Sequence, residues 1–189
     1  MTGEQQEHAA QHALVDLARR GDAEAWRALY LRHHHRILAW LRSLPTGDPA
    51  TGADDICAEA WTVAAGKMAE FRGTDDDFGG WLLGIARNIA TNTRRRSVRR
   101  QTYATEDAGV AEVAADQLPD AAVSAADSTR RLLAQLSPRE AEVVACIDVA
   151  GLDVAATARA LGMSTTAVRV ARHRALGRLR TVLAAERDT

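Results

Sequence analysis

The stretch Ser137-Pro138-Arg139-Glu140, running on through Gly151, Asp153, Gly162 and Ser164 to Arg180, decides the fold class. Ser137 suits an N-cap and Pro138 the first helical position. Glu140 stands three residues after the cap, the spacing of a capping box. Val143, Val144 and Ile147 then supply an apolar stripe and Gly151 ends the helix. Asp153 caps a second short helix with Val154, Ala158 and Leu161 inside. Gly162-Met163 makes a turn, and Ser164 caps a third helix whose inner stripe is Val168, Ala171, Ala175, Leu176 and Leu179. Two short helices joined by a tight glycine-containing turn form a helix-turn-helix. From Ser164 to Arg180 there are five Arg and one His and no acid, the charge that phosphates and guanine edges require.

The spacing of apolar residues is helical nearly everywhere else. Leu14, Leu17 and Ala18 precede a break at Gly21-Asp22, and Trp26, Leu29, Tyr30, Ile37, Leu41 and Leu44 follow it. Pro45 to Gly52 reads as a loop. Ala53 to Phe71 turns Ile56, Ala60, Val63, Ala64, Met68 and Phe71 inward. Asp54, Asp55 and Glu59 lie mostly outside, with acids in the first turn, where the helix dipole favours them. Arg72 to Asp77 reads as a polar loop in which Asp77 caps the next helix. That helix carries Phe78, Trp81, Leu82, Ile85 and Ile89 inside, and Arg87, Asn88 and Asn92 on its other side. It ends in Arg94-Arg95-Arg96-Ser97-Val98-Arg99-Arg100, which suits a helix end lying along a phosphate backbone.

Charge is segregated along the 189 residues. The whole chain carries a net −1, yet residues 78–100 hold six Arg and no acid, and residues 101–128 hold six acids and no base. Local sign governs groove binding, so the overall balance does not argue against nucleic acid. Cys57 and Cys146 fit no metal-ligand spacing and read as small buried hydrophobes. His33-His34-His35 cannot converge on one ion, because consecutive helical residues point about 100° apart. No metal, no cofactor and no catalytic constellation is expected. Nothing resembles a signal peptide or a membrane span, which places the chain in the reducing cytoplasm with no membrane partner.

Asp54-Asp55-Ile56-Cys57-Ala58-Glu59-Ala60-Trp61, Phe71-Arg72-Gly73 and Trp81-Leu82-Leu83-Gly84-Ile85-Ala86-Arg87-Asn88-Ile89-Ala90 together resemble region 2 of the extracytoplasmic-function sigma factors. Leu136 through Arg180 resembles their region 4. The resemblance implies an all-α protein of two small helical domains joined by a flexible acidic linker. The expected boundaries are a disordered 1–11, region 2 over 12–101, the linker over 102–128, region 4 over 129–183 and a tail over 184–189.

By the same resemblance, the chain binds RNA polymerase core and directs promoter-specific initiation. Asp54, Asp55 and Glu59 would dock on the clamp helices of the largest subunit, region 4 would meet the β-subunit flap, and an anti-sigma factor is an implied partner. Arg72, Phe78, Arg87 and Asn88 would hold the melted minus-10 strand, with Arg94, Arg95 and Arg96 along the backbone. Thr166, Arg169, Val170, His173, Arg174 and Arg178 would serve the minus-35 element. The chain departs from the family pattern at Thr157, Ala171 and Arg172, which puts its base preference and the tightness of its second domain in question. Promoter elements roughly 85 Å apart would be bridged by residues 102–128, which reach about 90 Å when extended. A stand-alone helix-turn-helix regulator, a dimeric repressor or activator, would use Ser137–Arg180 equally well but leaves residues 53–100 without a purpose.

Overall fold

A computed structural model describes residues 14–44, 52–103 and 120–187, and every described element is helical. Residues 14–19 form α1, followed by α2 (Ala23–Ser43), α3 (Ala53–Lys67), a 3₁₀ turn (Met68–Glu70) and α4 (Asp75–Tyr103). The second half holds α5 (Asp120–Leu133), α6 (Pro138–Val144), a single π turn (Ala145–Val149), α7 (Val154–Leu161) and α8 (Thr165–Arg187). The expected N-terminal disorder, most of the expected linker and the last two residues lie outside the described residues.

The local signals place the helix starts. Asp22 accepts a hydrogen bond from the Ala25 amide at 2.8 Å, Asp153 from the Ala156 amide at 2.7 Å, and the Ser164 hydroxyl from the Ala167 amide at 3.1 Å. Glu140 accepts from the Ser137 amide at 3.1 Å and from its hydroxyl at 2.6 Å, closing the capping box. Gly151 and Gly162 adopt φ of +66° and +62°, a region in which an L side chain is disfavoured.

Three boundaries differ from the sequence reading. Helix α4 starts at Asp75, so Asp75, Asp76 and Asp77 belong to it and not to a loop. Thr74 precedes its first turn, and Asp77 accepts from the Thr74 amide and hydroxyl, both at 3.0 Å, so Asp77 serves as the reciprocal partner of a cap. Asp75 is buried and binds the Val15 amide at 2.8 Å, which ties α1 to the head of α4. At the other end of the chain, α5 begins at Asp120, so part of the expected linker is helix, and α8 continues to Arg187.

The two halves share one apolar core. Leu29, Ile37, Trp40, Leu41, Ile56, Phe78, Leu82 and Leu83 fill the first half, and Val143, Val144, Cys146 and Val168 the second. Helices α2 and α4 touch both: α4 packs on α3 and α7, and α2 on α3, α5 and the π turn. Both cysteines are fully buried, and desolvation raises their thiol pKa values to about 11 for Cys57 and about 12 for Cys146. The three histidines diverge as helical geometry requires: His33 is buried, His34 stacks on Tyr30 at 4.4 Å between ring centroids, and His35 is exposed.

Candidate nucleic-acid and polymerase interfaces

The acidic face of α3 is built by its first two turns. Asp54, Asp55 and Glu59 are all exposed. Arg42 of α2 forks across Asp54 at 3.0 and 3.1 Å, and Asp55 closes back on the Gly52 amide at 3.3 Å. These contacts hold the two aspartates in place, and Glu59 stands clear one turn further on.

Beside the head of α4 lies a groove of about 620 Å³ lined by Lys67, Arg72, Trp81, Asn88 and Arg159, among others. Phe71 backs it, its ring stacked on Trp81 at 4.5 Å. Gly73 lets the loop close there: a Cβ at this position would lie 2.5 Å from the Phe71 ring and 2.7 Å from Asp77 Cβ. Arg72 is exposed and caps the preceding 3₁₀ turn by donating to the Ala69 carbonyl at 2.6 Å. Asn88 is exposed, as are Arg94, Arg95 and Arg96 along the following turns.

Phe78 requires a correction. It is fully buried, in ring contact with His33, Phe71, Trp61 and Trp81 at centroid distances of 5.4 to 6.0 Å, and offers no face to a base. Its place on the inner stripe of α4 makes it core. The available ring is Trp81, which the sequence reading had assigned to the interior. Trp81 lies three residues from Phe78 at the margin of the same stripe, and only the packing of Phe71 behind it shows which of the two rings reaches the groove. Arg87 also differs from expectation: it is not free but donates through Nε and Nη2 to Glu142, both at 3.1 Å.

On α8 the outward row is Thr166, Arg169, Val170, His173 and Arg174, all exposed, with Val168 and Ala175 fully buried beneath. The remaining arginines of the helix divide. Arg172 forks across Asp148 at 2.6 and 3.1 Å, which removes it from any outward row. Arg178, expected to grip phosphate, donates to Glu140 at 2.6 Å. Ser137's hydroxyl hydrogen bond, with Arg178 and Arg174 adding to it, holds the Glu140 carboxyl below its ordinary pKa. Arg178 thus secures the start of α6. Among the described residues no cluster of three ligating side chains is placed to hold a metal ion, and no helix is long and apolar enough to cross a membrane.

Two family profiles match this chain. Residues 29–100 match Sigma-70 region 2, and residues 126–179 match Sigma-70 region 4. The ECF RNA polymerase sigma factor ShbA of Streptomyces griseus is 30% identical over 186 residues, covering 90% of this chain and 93% of ShbA. The chain belongs to the ECF sigma factors. Another member, BldN of Streptomyces coelicolor, is 30% identical over 174 residues, 90% of this chain but 64% of BldN. SigM of Mycobacterium tuberculosis is 32% identical over 165 residues, 86% of this chain and 79% of its own.

The fold is shared with two solved structures. CnrH, in complex with the cytosolic domain of CnrY, superposes with a TM-score of 0.67 at 23% identity, covering 93% of this chain and 98% of CnrH. RpoE from Bartonella quintana, in complex with the anti-sigma factor NepR, gives a TM-score of 0.63 at 21% identity, covering 84% and 95%. Sigma factors are not a catalytic family. The presence of both regions in order displaces the stand-alone regulator, which has no use for region 2.

Proposed function

We propose that this sigma factor joins core RNA polymerase through the α3 acidic face, reads an upstream duplex element with α8 and holds the melted downstream strand along α4. The observation that carries this reading is the outward row of α8. Val170 is 44% exposed, a large aliphatic side chain set among Arg169, His173 and Arg174 on a helix capped at Ser164. Val170 suits a major-groove floor, where a thymine methyl meets it while guanidinium groups take guanine edges. In the groove beside α4, Trp81 supplies a stacking ring, Asn88 an amide able to read a base edge, and Arg72 and Lys67 positive charge. Asp54, Asp55 and Glu59 form the polymerase docking face, an anti-sigma factor of the kind seen with RpoE is the expected inhibitor, and the cytoplasm is the expected compartment.

The test is reversal of Asp55 and Glu59 to Arg. Neither side chain is buried, so the fold should persist, with only a slight loss at the start of α3 where Asp55 meets the Gly52 amide, while binding to core polymerase and run-off transcription are lost. Unaltered affinity for core would remove α3 from the docking surface.

A further inference from the structure

Among the contacts that join region 4 to region 2, besides α5 on α2, three stand out, two of them on the flank of α4 that carries Arg87. One is steric. Gly80 and Gly84 on α4 face Ala156 and Ala160 on α7, small residues four apart on both helices and so on one face of each. A Cβ at Gly80 would lie 3.0 Å from Ala156 Cβ and 3.2 Å from its carbonyl oxygen, and one at Gly84 would lie 3.9 Å from Ala160 Cα. The second is ionic and brackets the first: Arg87 with Glu142 beyond Gly84, and Asp77 with Arg159 before Gly80. The third contact is made by Arg36 of α2, which donates to the Ala150 carbonyl at 2.7 Å and also to that of Gly151.

The Arg87 pair matters most. A carboxylate offers a guanidinium fork the same two coplanar anionic acceptors that a phosphate offers, so Glu142 takes the Nε–Nη2 edge of Arg87 and neutralises its charge, and a strand phosphate must compete with it. Arg159 and Ala160 of α7 also form the far wall of the Trp81 and Asn88 groove. In the docked chain α7 therefore narrows the site along α4. The outward row of α8 faces away from this seam and stays exposed.

We propose that Glu142 is an internal stand-in for a strand phosphate, so that docking of region 4 on region 2 and capture of the melted strand compete with one another. Duplex reading by α8 remains open in the docked state. The chain becomes fully competent for the single strand only when region 4 leaves α4. This rests on the reading of Arg87 as a strand contact.

The experiment uses the full chain carrying Ala65→Cys and Thr181→Cys, both exposed positions, labelled with a donor and acceptor dye; the native cysteines are fully buried. Energy transfer should be high in this chain and fall when Gly80→Leu is added, because a leucine has no room against Ala156. Glu142→Gln should bind a fluorescent single-stranded oligonucleotide of mixed sequence roughly threefold to tenfold more tightly than the parent. Adding Arg87→Ala should cancel that gain. Transfer that is equally low with and without Gly80→Leu, or that stays high with the strand bound, overturns the proposal. A gain in Glu142→Gln that survives Arg87→Ala, with Gly80→Leu still opening the chain, removes Arg87 from the strand site and leaves the seam standing.

Discussion

His33 is 6% exposed, its ring 5.4 Å from that of Phe78 and pressed on Gly79, where a Cβ would come within 3.0 Å. Its Nε2 has no hydrogen-bond partner among the described residues. Burial, and then the charges of Arg36, Arg32 and His35, lower its pKa to about 4. The unfolded chain takes up a proton near pH 6.5 that the folded chain refuses until about pH 4. Stability is therefore fully present above 6.5 and falls as pH drops through that window, by about 2 kcal/mol at pH 5. Urea unfolding at pH 7 and pH 5 measures it, and His33→Gln should remove most of the difference. His34, also lowered by burial, supplies a smaller part with the same sign. A second residue works against the fold. Thr157 is fully buried with its hydroxyl unpartnered among the described residues. Thr157→Val keeps the shape and removes that group, so it should add about 1 kcal/mol and raise the melting temperature by roughly 2–4 °C. An unchanged or lower melting temperature would mean the hydroxyl is satisfied. At this scale the sequence was most legible where the partner is three residues away, as for Ser137, Asp153 and Ser164. It was least legible for Phe78 and Trp81, whose roles depend on Phe71.

Helix α8 looks uniformly basic in sequence, and its arginines separate only when their neighbours are known. The 3.6-residue period places Val168 and Ala175 inside and Arg169, Val170 and His173 outside. It does not reveal that Asp148, twenty-four positions back, holds Arg172, or that Glu140 holds Arg178. Arg169 and Arg178 should accordingly fail in different assays. Arg169→Ala should lose discrimination at one or two upstream base pairs, roughly 1–3 kcal/mol each. Arg178→Ala should leave base preference and salt slope unchanged and instead lower unfolding stability by about 0.5–1 kcal/mol, since its partner is a buried carboxylate but Arg178 itself is largely exposed. Holoenzyme binding to single-base variants at two salt concentrations, with urea unfolding of the free chain, separates the two. A salt slope lower by about one in Arg178→Ala would return that residue to the phosphate backbone.

At the scale of the whole molecule, both regions were legible from their stripes and motifs, while the seam between them was not. Gly80 and Gly84 read as ordinary positions along a helix, and Ala156 and Ala160 fit an ordinary short helix, so nothing local signals that one row packs on the other. The linker changes for a related reason. Residues 120–128 belong to α5, which lies against α2, with Arg130 donating to the Arg42 carbonyl at 3.0 Å. Residues 104–119 are then the span between helices, and at full extension they reach roughly 53 Å. Against a separation of about 85 Å between promoter elements, the remainder must come from the domains and from α5, whose fourteen residues add about 21 Å. The tether therefore has little slack. Replacing residues 104–116 with a Gly/Ser sequence of equal length should preserve transcription, because only reach is required. Deleting them shortens the reach by about 43 Å and should abolish initiation at promoters of ordinary spacing while leaving core binding intact. A deletion variant that initiates at the same promoters with the same efficiency would show that the two regions do not grip both elements at once.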